Sequence, residues 1–147
     1  MTTLRTPAER DADPTSRKEW ELDGSGKMTP KQRRMLNAVC GCLAAQLSWH
    51  GNRLSLDDWR HMLAGTMLGW RMMPAIDRGE GAAGFIMLGG SSLDLSKTLA
   101  CNAITCGLHI GDHPEEQKLR CKPVQWSYAV LRGLGFNDSD IQRLRAA

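Results

Sequence analysis

Residues 27–53, KMTPKQRRMLNAVCGCLAAQLSWHGNR, combine helical spacing, punctuation at both ends and a single sign of charge. Leu36, Val39, Cys40, Leu43 and Leu47 recur at the intervals that place side chains on one face of an α-helix. Thr29 suits the N-cap, Pro30 the first helical position and Gln32 the third, which together make a capping box. Gly51 suits the C-terminal cap. The opposite side carries the small residues Ala38, Gly41 and Ala45, so the helix is either approached closely on two sides or has a bland surface. The same stretch holds Lys27, Lys31, Arg33, Arg34 and Arg53 and no acidic residue. One-signed positive surface attracts phosphate backbones, although a solvated helix start has the same composition.

A second helix is expected after the turn GNRLS, with Ser55 as N-cap and Asp57 and Asp58 in its first turn, where the helix dipole favours negative charge. Trp59, Met62, Leu63, Met67 and Trp70 form its apolar stripe. WRMMPAI and GFIMLGG flank the turn-rich DRGEGAA and read as a small antiparallel pair. A third helix capped by Ser91 or Ser92 should end near Gly107, and the remainder should form short helices, with Pro114 and Pro123 at helix starts. EWEL can add at most a short edge strand. The expected fold is predominantly helical α+β, about four to six helices with a small antiparallel two- or three-stranded sheet. Residues 1–19 mix charges and prolines and read as a flexible arm; residues 20–147 form a single domain.

At 147 residues, 41% hydrophobic and 24% charged, with net charge +3, the chain has the composition of one ordinary globular domain. No apolar run approaches the roughly 18 residues of a membrane span, and the opening residues lack the apolar segment of a secretory signal. A cytoplasmic protein is expected, with its five cysteines as reduced thiols.

Catalytic and metal chemistry find weak support. Cys101 and Cys106 lie five apart on a helix and do not converge, and His109 and His113 have no clear second ligand pair. Asp57 and Asp58 are explained by the helix start, so a two-metal carboxylate site has no basis, and GGSSLDLSK matches neither a nucleophile elbow nor a phosphate loop. No catalytic residue, metal or cofactor is expected. Ser91 and Ser92 at a helix start, with Lys97 one turn in, can cap the helix or hold a phosphate. Trp49 is either core or a stacking platform for an unpaired base.

Gln32-Arg33-Arg34 at a helix start, Trp49-His50-Gly51 at its end, Trp59 in the next helix, then Pro74, Gly84-Phe85, Gly89 and Ser91-Ser92 appear in an order that resembles the NinB family of bacteriophage recombination proteins. The resemblance covers roughly residues 28–110. It implies a homodimeric, non-enzymatic recombination mediator of a phage or prophage. Such a protein acts in the bacterial cytoplasm, binds single-stranded DNA, contacts the host single-strand-binding protein and assists recombinase loading. Gln32 and Arg34 fall on matching positions where DNA contact is expected. Leu93-Asp94 stands where the family has a basic residue, and a polar arm stands where it has a strand-helix-strand segment. The candidate DNA-contacting set is Lys31, Gln32, Arg33, Arg34, Arg53, Trp49, Ser91, Ser92 and Lys97. Two other functions fit the residues: a helical adaptor that binds a protein without DNA affinity, and a helix-turn-helix regulator, for which Arg60 and His61 offer few base-reading side chains.

Overall fold

The computed structural model describes residues 19–79, 81, 84–89 and 91–146, so all of the expected arm except Glu19 lies outside the described residues. Among them are five α-helices and one two-stranded antiparallel sheet: α1 Pro30–Gln46, α2 Leu56–Leu68, β1 Arg71–Pro74, β2 Phe85–Leu88, α3 Lys97–Asp112, α4 Tyr128–Gly133 and α5 Asp138–Ala146. The fold is predominantly helical α+β. No strand forms at EWEL.

Helices α1, α2 and α3 pack against one another, and α4 and α5 extend this core from α1. Helix α1 buries Leu36, Val39, Cys40 and Leu43 as their spacing predicts; of the stripe predicted for α2, Trp59 and Leu63 are buried, Met62 and Met67 are half-buried and Trp70 lies beyond the helix end; α3 buries Ala103, Ile104 and Leu108. Burying each large apolar side chain contributes about 1.5–3 kcal/mol, and this layer holds the three helices together. They meet at Gly107, where a Cβ would stand 2.9 Å from Val39 Cγ1 and 3.2 Å from Leu63 Cδ1. Glycine there lets α3 approach closely. The small residue Gly41 on the back of α1 is met within the chain, its Cβ position lying 3.6 Å from Leu56 Cδ1.

Capping chemistry fixes the helix starts. Thr29 and Gln32 form the predicted reciprocal box on α1, and Ser55 and Asp58 form another on α2. Asp57 pairs with Arg60, and the His61 ring packs edge-on to Trp70. Helix α1 ends at Gln46 rather than at the predicted glycine cap, because the Leu47 N–H closes it on the Leu43 carbonyl; Gly51, at φ +87°, serves the following turn. The third helix also differs from expectation. Ser91 caps only the 3₁₀ turn Ser92–Asp94, and α3 starts at Lys97 under Ser96 and continues to Asp112.

Residues 118–126 were expected to be helical but form a non-helical strap, opened by Lys118 in a left-handed turn, across the ends of α1 and α3. Gln46 donates to the Gln125 carbonyl at 2.7 Å and accepts from the Gln125 N–H at 2.8 Å. The Val124 N–H donates to the Gly111 carbonyl at 2.8 Å, and the Trp126 indole to Asp112 Oδ1 at 2.8 Å. Pro123 therefore lies in extended chain, and α4 begins after the Ser127 cap.

The hairpin carries the predicted antiparallel pairing, Arg71 opposite Leu88 and Pro74 opposite Phe85. Trp70 docks it: a Cβ on Gly65 would fall within the Trp70 ring, and Gly89 closes on the ring from the other side. Beyond this anchor both strands are exposed on both faces, including Met72 at 65% and Phe85 at 69%. No helix among the described residues is long and apolar enough to cross a membrane.

Candidate nucleic-acid interface

The start of α1 displays its cations while burying its glutamine. Gln32 is 0% exposed. Its carbonyl accepts from the Thr29 N–H at 3.0 Å, and its amide donates to the Trp20 carbonyl at 3.0 Å and the Lys97 carbonyl at 2.9 Å. Both amide N–H donors and the carbonyl are engaged and the side chain is buried, so the expectation that Gln32 contacts DNA is corrected: it ties the N-terminal segment, α1 and α3 together. Arg33 and Arg34, one and two positions further, are exposed and form no ion pair among the described residues. Lys31 is exposed and bonded to Glu19 at 2.8 Å. That bond, then the charges of Lys31 and Arg34, hold the Glu19 carboxyl below its ordinary range.

Arg34, Lys31 and Glu19 border a groove of about 510 Å³ whose far wall is Arg132 and whose floor includes Trp20 and Met35. Trp20 is held there by its indole N–H, which donates to the Gly133 carbonyl at 2.8 Å. Arg132 was not anticipated as part of this surface. It lies almost 100 residues from Arg34 in sequence, on the short helix α4, and only tertiary packing brings the two to one groove.

Lys97 approaches this end of the molecule through its backbone. Its N–H donates to the Gly26 carbonyl at 2.8 Å, and its side-chain carbons run over Gly24 and Gly26. The serine turn is a separate feature. The Ser91 hydroxyl accepts from the Leu93 N–H, and its own N–H donates to Asp94 Oδ2 at 2.9 Å. A carboxylate thus holds the amide that a phosphate would need, and neither Ser91 nor Ser92 begins α3. The expected anion site joining Ser91, Ser92 and Lys97 at one helix start is corrected accordingly.

Trp49 and Arg53 lie at the opposite end of α1, a helix of 17 residues and so about 25 Å long. Trp49 is half-buried, edge-on to Trp59 at 5.5 Å and to His50 at 4.8 Å. Its N–H and carbonyl pair with Asn52 at 2.7 and 2.9 Å, closing the turn. Arg53 is exposed and donates to the Ala45 carbonyl at 3.1 Å, satisfying a helix-end acceptor. The predicted set therefore divides into a start-of-helix group, Lys31, Arg33 and Arg34, and an end-of-helix group, Trp49 and Arg53.

Among the described residues no three histidines, cysteines or acidic residues are placed to hold a metal ion. His109 and His113 contact Glu116 and Glu115 respectively. Burial raises the Cys101 and Cys106 thiols and pushes Cys40 up to about 12, so none is an activated nucleophile.

Comparison with known proteins agrees with this architecture. A solved structure described as NinB, from structural genomics, superposes with a TM-score of 0.51 over 88% of this chain and 98% of its own, at 19% identity, a likeness of fold. No curated protein matches the chain by sequence. The family model described as NinB protein matches residues 23–106, which span α1, α2, the hairpin and the first part of α3, and include Arg33, Arg34 and Trp49. With more than half its length matched, this chain belongs to the NinB family.

Proposed function

We propose that this protein is a non-enzymatic accessory factor of phage DNA recombination that binds single-stranded DNA through the start of α1. The observation that carries the reading is the pair of exposed arginines at the start of α1, Arg33 and Arg34, of which Arg34 lines a groove shared with Arg132. The groove, about 510 Å³, is bordered by Lys31, paired with Glu19, by Arg34, and by Arg132, paired with Asp138, over Trp20 and Met35, and a backbone entering it would first meet Arg34, unpaired among the described residues. Family membership supports the recombination setting and a contact with the host single-strand-binding protein that assists recombinase loading.

The protein acts as a homodimer in this reading. Met72, Met73, Phe85, Ile86, Met87 and Leu88 are all exposed on a hairpin with two open edges. An isolated two-stranded hairpin is marginal in water, and an apolar ribbon of this kind is stabilised when a second copy covers it. Anisotropy with labelled oligo-dT tests the DNA reading. Single strands should bind at low salt and be outcompeted poorly by duplex; absence of single-strand binding at low salt contradicts it.

A pure protein adaptor remains the second reading, favoured by the same apolar hairpin. It predicts partner capture by a protein devoid of DNA affinity.

A further inference from the structure

Resting on the single-strand reading above, we propose that Lys118, Arg120 and Lys122 of the strap, with His50 facing them, form a second phosphate-tracking surface at the other end of α1. These strap residues lie beyond residues 23–106, the span matched by the family model.

Three cations of the strap are exposed close together in sequence. Leu119, Val124 and Trp126 are buried and Cys121 is half-buried, while Lys118, in the left-handed turn that ends the preceding 3₁₀ helix, Arg120 and Lys122 are exposed. The strap is pinned by Gln46, Gly111 and Asp112, so the cations stand on a fixed element.

Across from the strap, the turn after α1 supplies the other wall. Ser48, His50 and Gly51 face Lys118, Arg120 and Cys121 around a hollow of about 400 Å³. Cys121 Sγ lies 3.9 Å from the Ser48 carbonyl, which fixes the two walls against each other. His50 and Lys118, on opposite walls, both adopt positive φ, 47° and 60°, a conformation rare for residues other than glycine. Trp49, half-buried and edge-on to His50, adds an aromatic surface beside the cations.

Charge is uncompensated along this strip. Lys118, Arg120 and Lys122 form no ion pair among the described residues, and the nearest acids in sequence, Glu115 and Glu116, are engaged by His113 and His109. A polyanion laid along the strap would meet three free cations in succession. A single strand reaching from Arg33 and Arg34 to the strap would follow the length of α1, about 25 Å.

The test is the salt dependence of oligo-dT binding by the full chain. Each phosphate contact to a single strand contributes about 0.7 to the log–log slope, so Lys118→Gln, Arg120→Gln and Lys122→Gln together should lower it by about 2. The same loss should weaken binding on the order of 100-fold at about 0.1 M salt. Arg143→Gln with Arg145→Gln, on α5, should leave the slope unchanged, and an unaltered urea midpoint shows the strap variant folded. An unchanged slope in the triple variant overturns the proposal, as does an equal fall in the α5 variant. If Arg33→Glu with Arg34→Glu removes binding while the strap variant binds normally, the strap proposal fails and the single-strand reading stands. If the unaltered protein binds no single strand, both fail.

Discussion

The side-chain amide of Gln32 donates to the main-chain carbonyl of Lys97 at 2.9 Å, joining the first turn of α1 to the first turn of α3 across 65 residues. The same amide reaches the Trp20 carbonyl, so one buried side chain fastens three segments. Gln32→Ala removes three hydrogen bonds, to the Trp20 and Lys97 carbonyls and from the Thr29 N–H, although the Trp20 carbonyl keeps the Leu22 N–H, and opens a small cavity. The expected cost is about 2–4 kcal/mol. Urea denaturation should show a lower midpoint with unchanged slope. A normal midpoint with weakened DNA binding would return Gln32 to the contact surface.

Gly107 marks the closest approach of α3 to its neighbours, and Gly107→Ala places a methyl 2.9 Å from Val39 Cγ1 and 3.2 Å from Leu63 Cδ1. Alanine's better helix propensity offsets up to about 1 kcal/mol, while overpacking costs about 1–3 kcal/mol. The net expectation is destabilisation, read as a lower thermal midpoint. A gain in stability would mean that α3 can shift outward at no cost.

Trp70 is the anchor between α2 and the hairpin, lying over Gly65 and against His61. Gly65→Val evicts the ring. Chymotrypsin should then cleave within residues 71–88 faster than in the unaltered protein, and the homodimer proposed above should dissociate at higher protein concentration. Cleavage and assembly both unchanged would show that the hairpin is held by something other than Trp70.

Burial pushes the Cys40 thiol up to about 12 from an ordinary value of 9.0. The thiol is neutral when protonated, so above pH 9 the unfolded chain releases its proton before the folded one does. Stability is therefore retained below pH 9 and lost between pH 9 and about 12, by about 1.4 kcal/mol per unit while the two states differ by a full proton. Denaturation of unaltered protein and Cys40→Ala across that range measures the difference: the variant's pH slope should be shallower, keeping only what the raised Cys101 and Cys106 thiols contribute. At pH 8, iodoacetamide should leave Cys40 unmodified until the chain unfolds.

Helix identity was legible because Leu36, Val39, Leu43, Trp59 and Leu63 all sit where both spacing and burial want them. The hairpin was legible for a similar reason, with apolar runs on either side of a glycine-rich turn. Helix ends were not. Ser91 and Ser96 offer the same capping chemistry, and α3 takes the second because Leu95 is buried and Lys97 N–H pairs with Gly26, a contact 71 residues away. Gly107 and Gly111 look like stops in sequence, yet Val39 and Trp126 pack where their side chains would be. The strap was missed because Pro123 mimics a helix start and the partner that extends it, Gln46, is remote. Its signal was present as the alternation of Lys118, Arg120 and Lys122 with Leu119 and Cys121. In the candidate interface, the basic run correctly marked Arg33 and Arg34 as surface residues but could not separate them from buried Gln32 between Lys31 and Arg33, nor supply Arg132.

The most direct measurement is the affinity of Arg33→Glu with Arg34→Glu for a labelled oligo-dT across a salt titration, beside the unaltered protein. Unaltered protein should bind single strands at low salt with log affinity falling linearly in log salt, and the double variant should lose on the order of 100-fold or more while keeping its urea midpoint. Binding that survives the double change with the same slope would contradict a DNA surface at the start of α1.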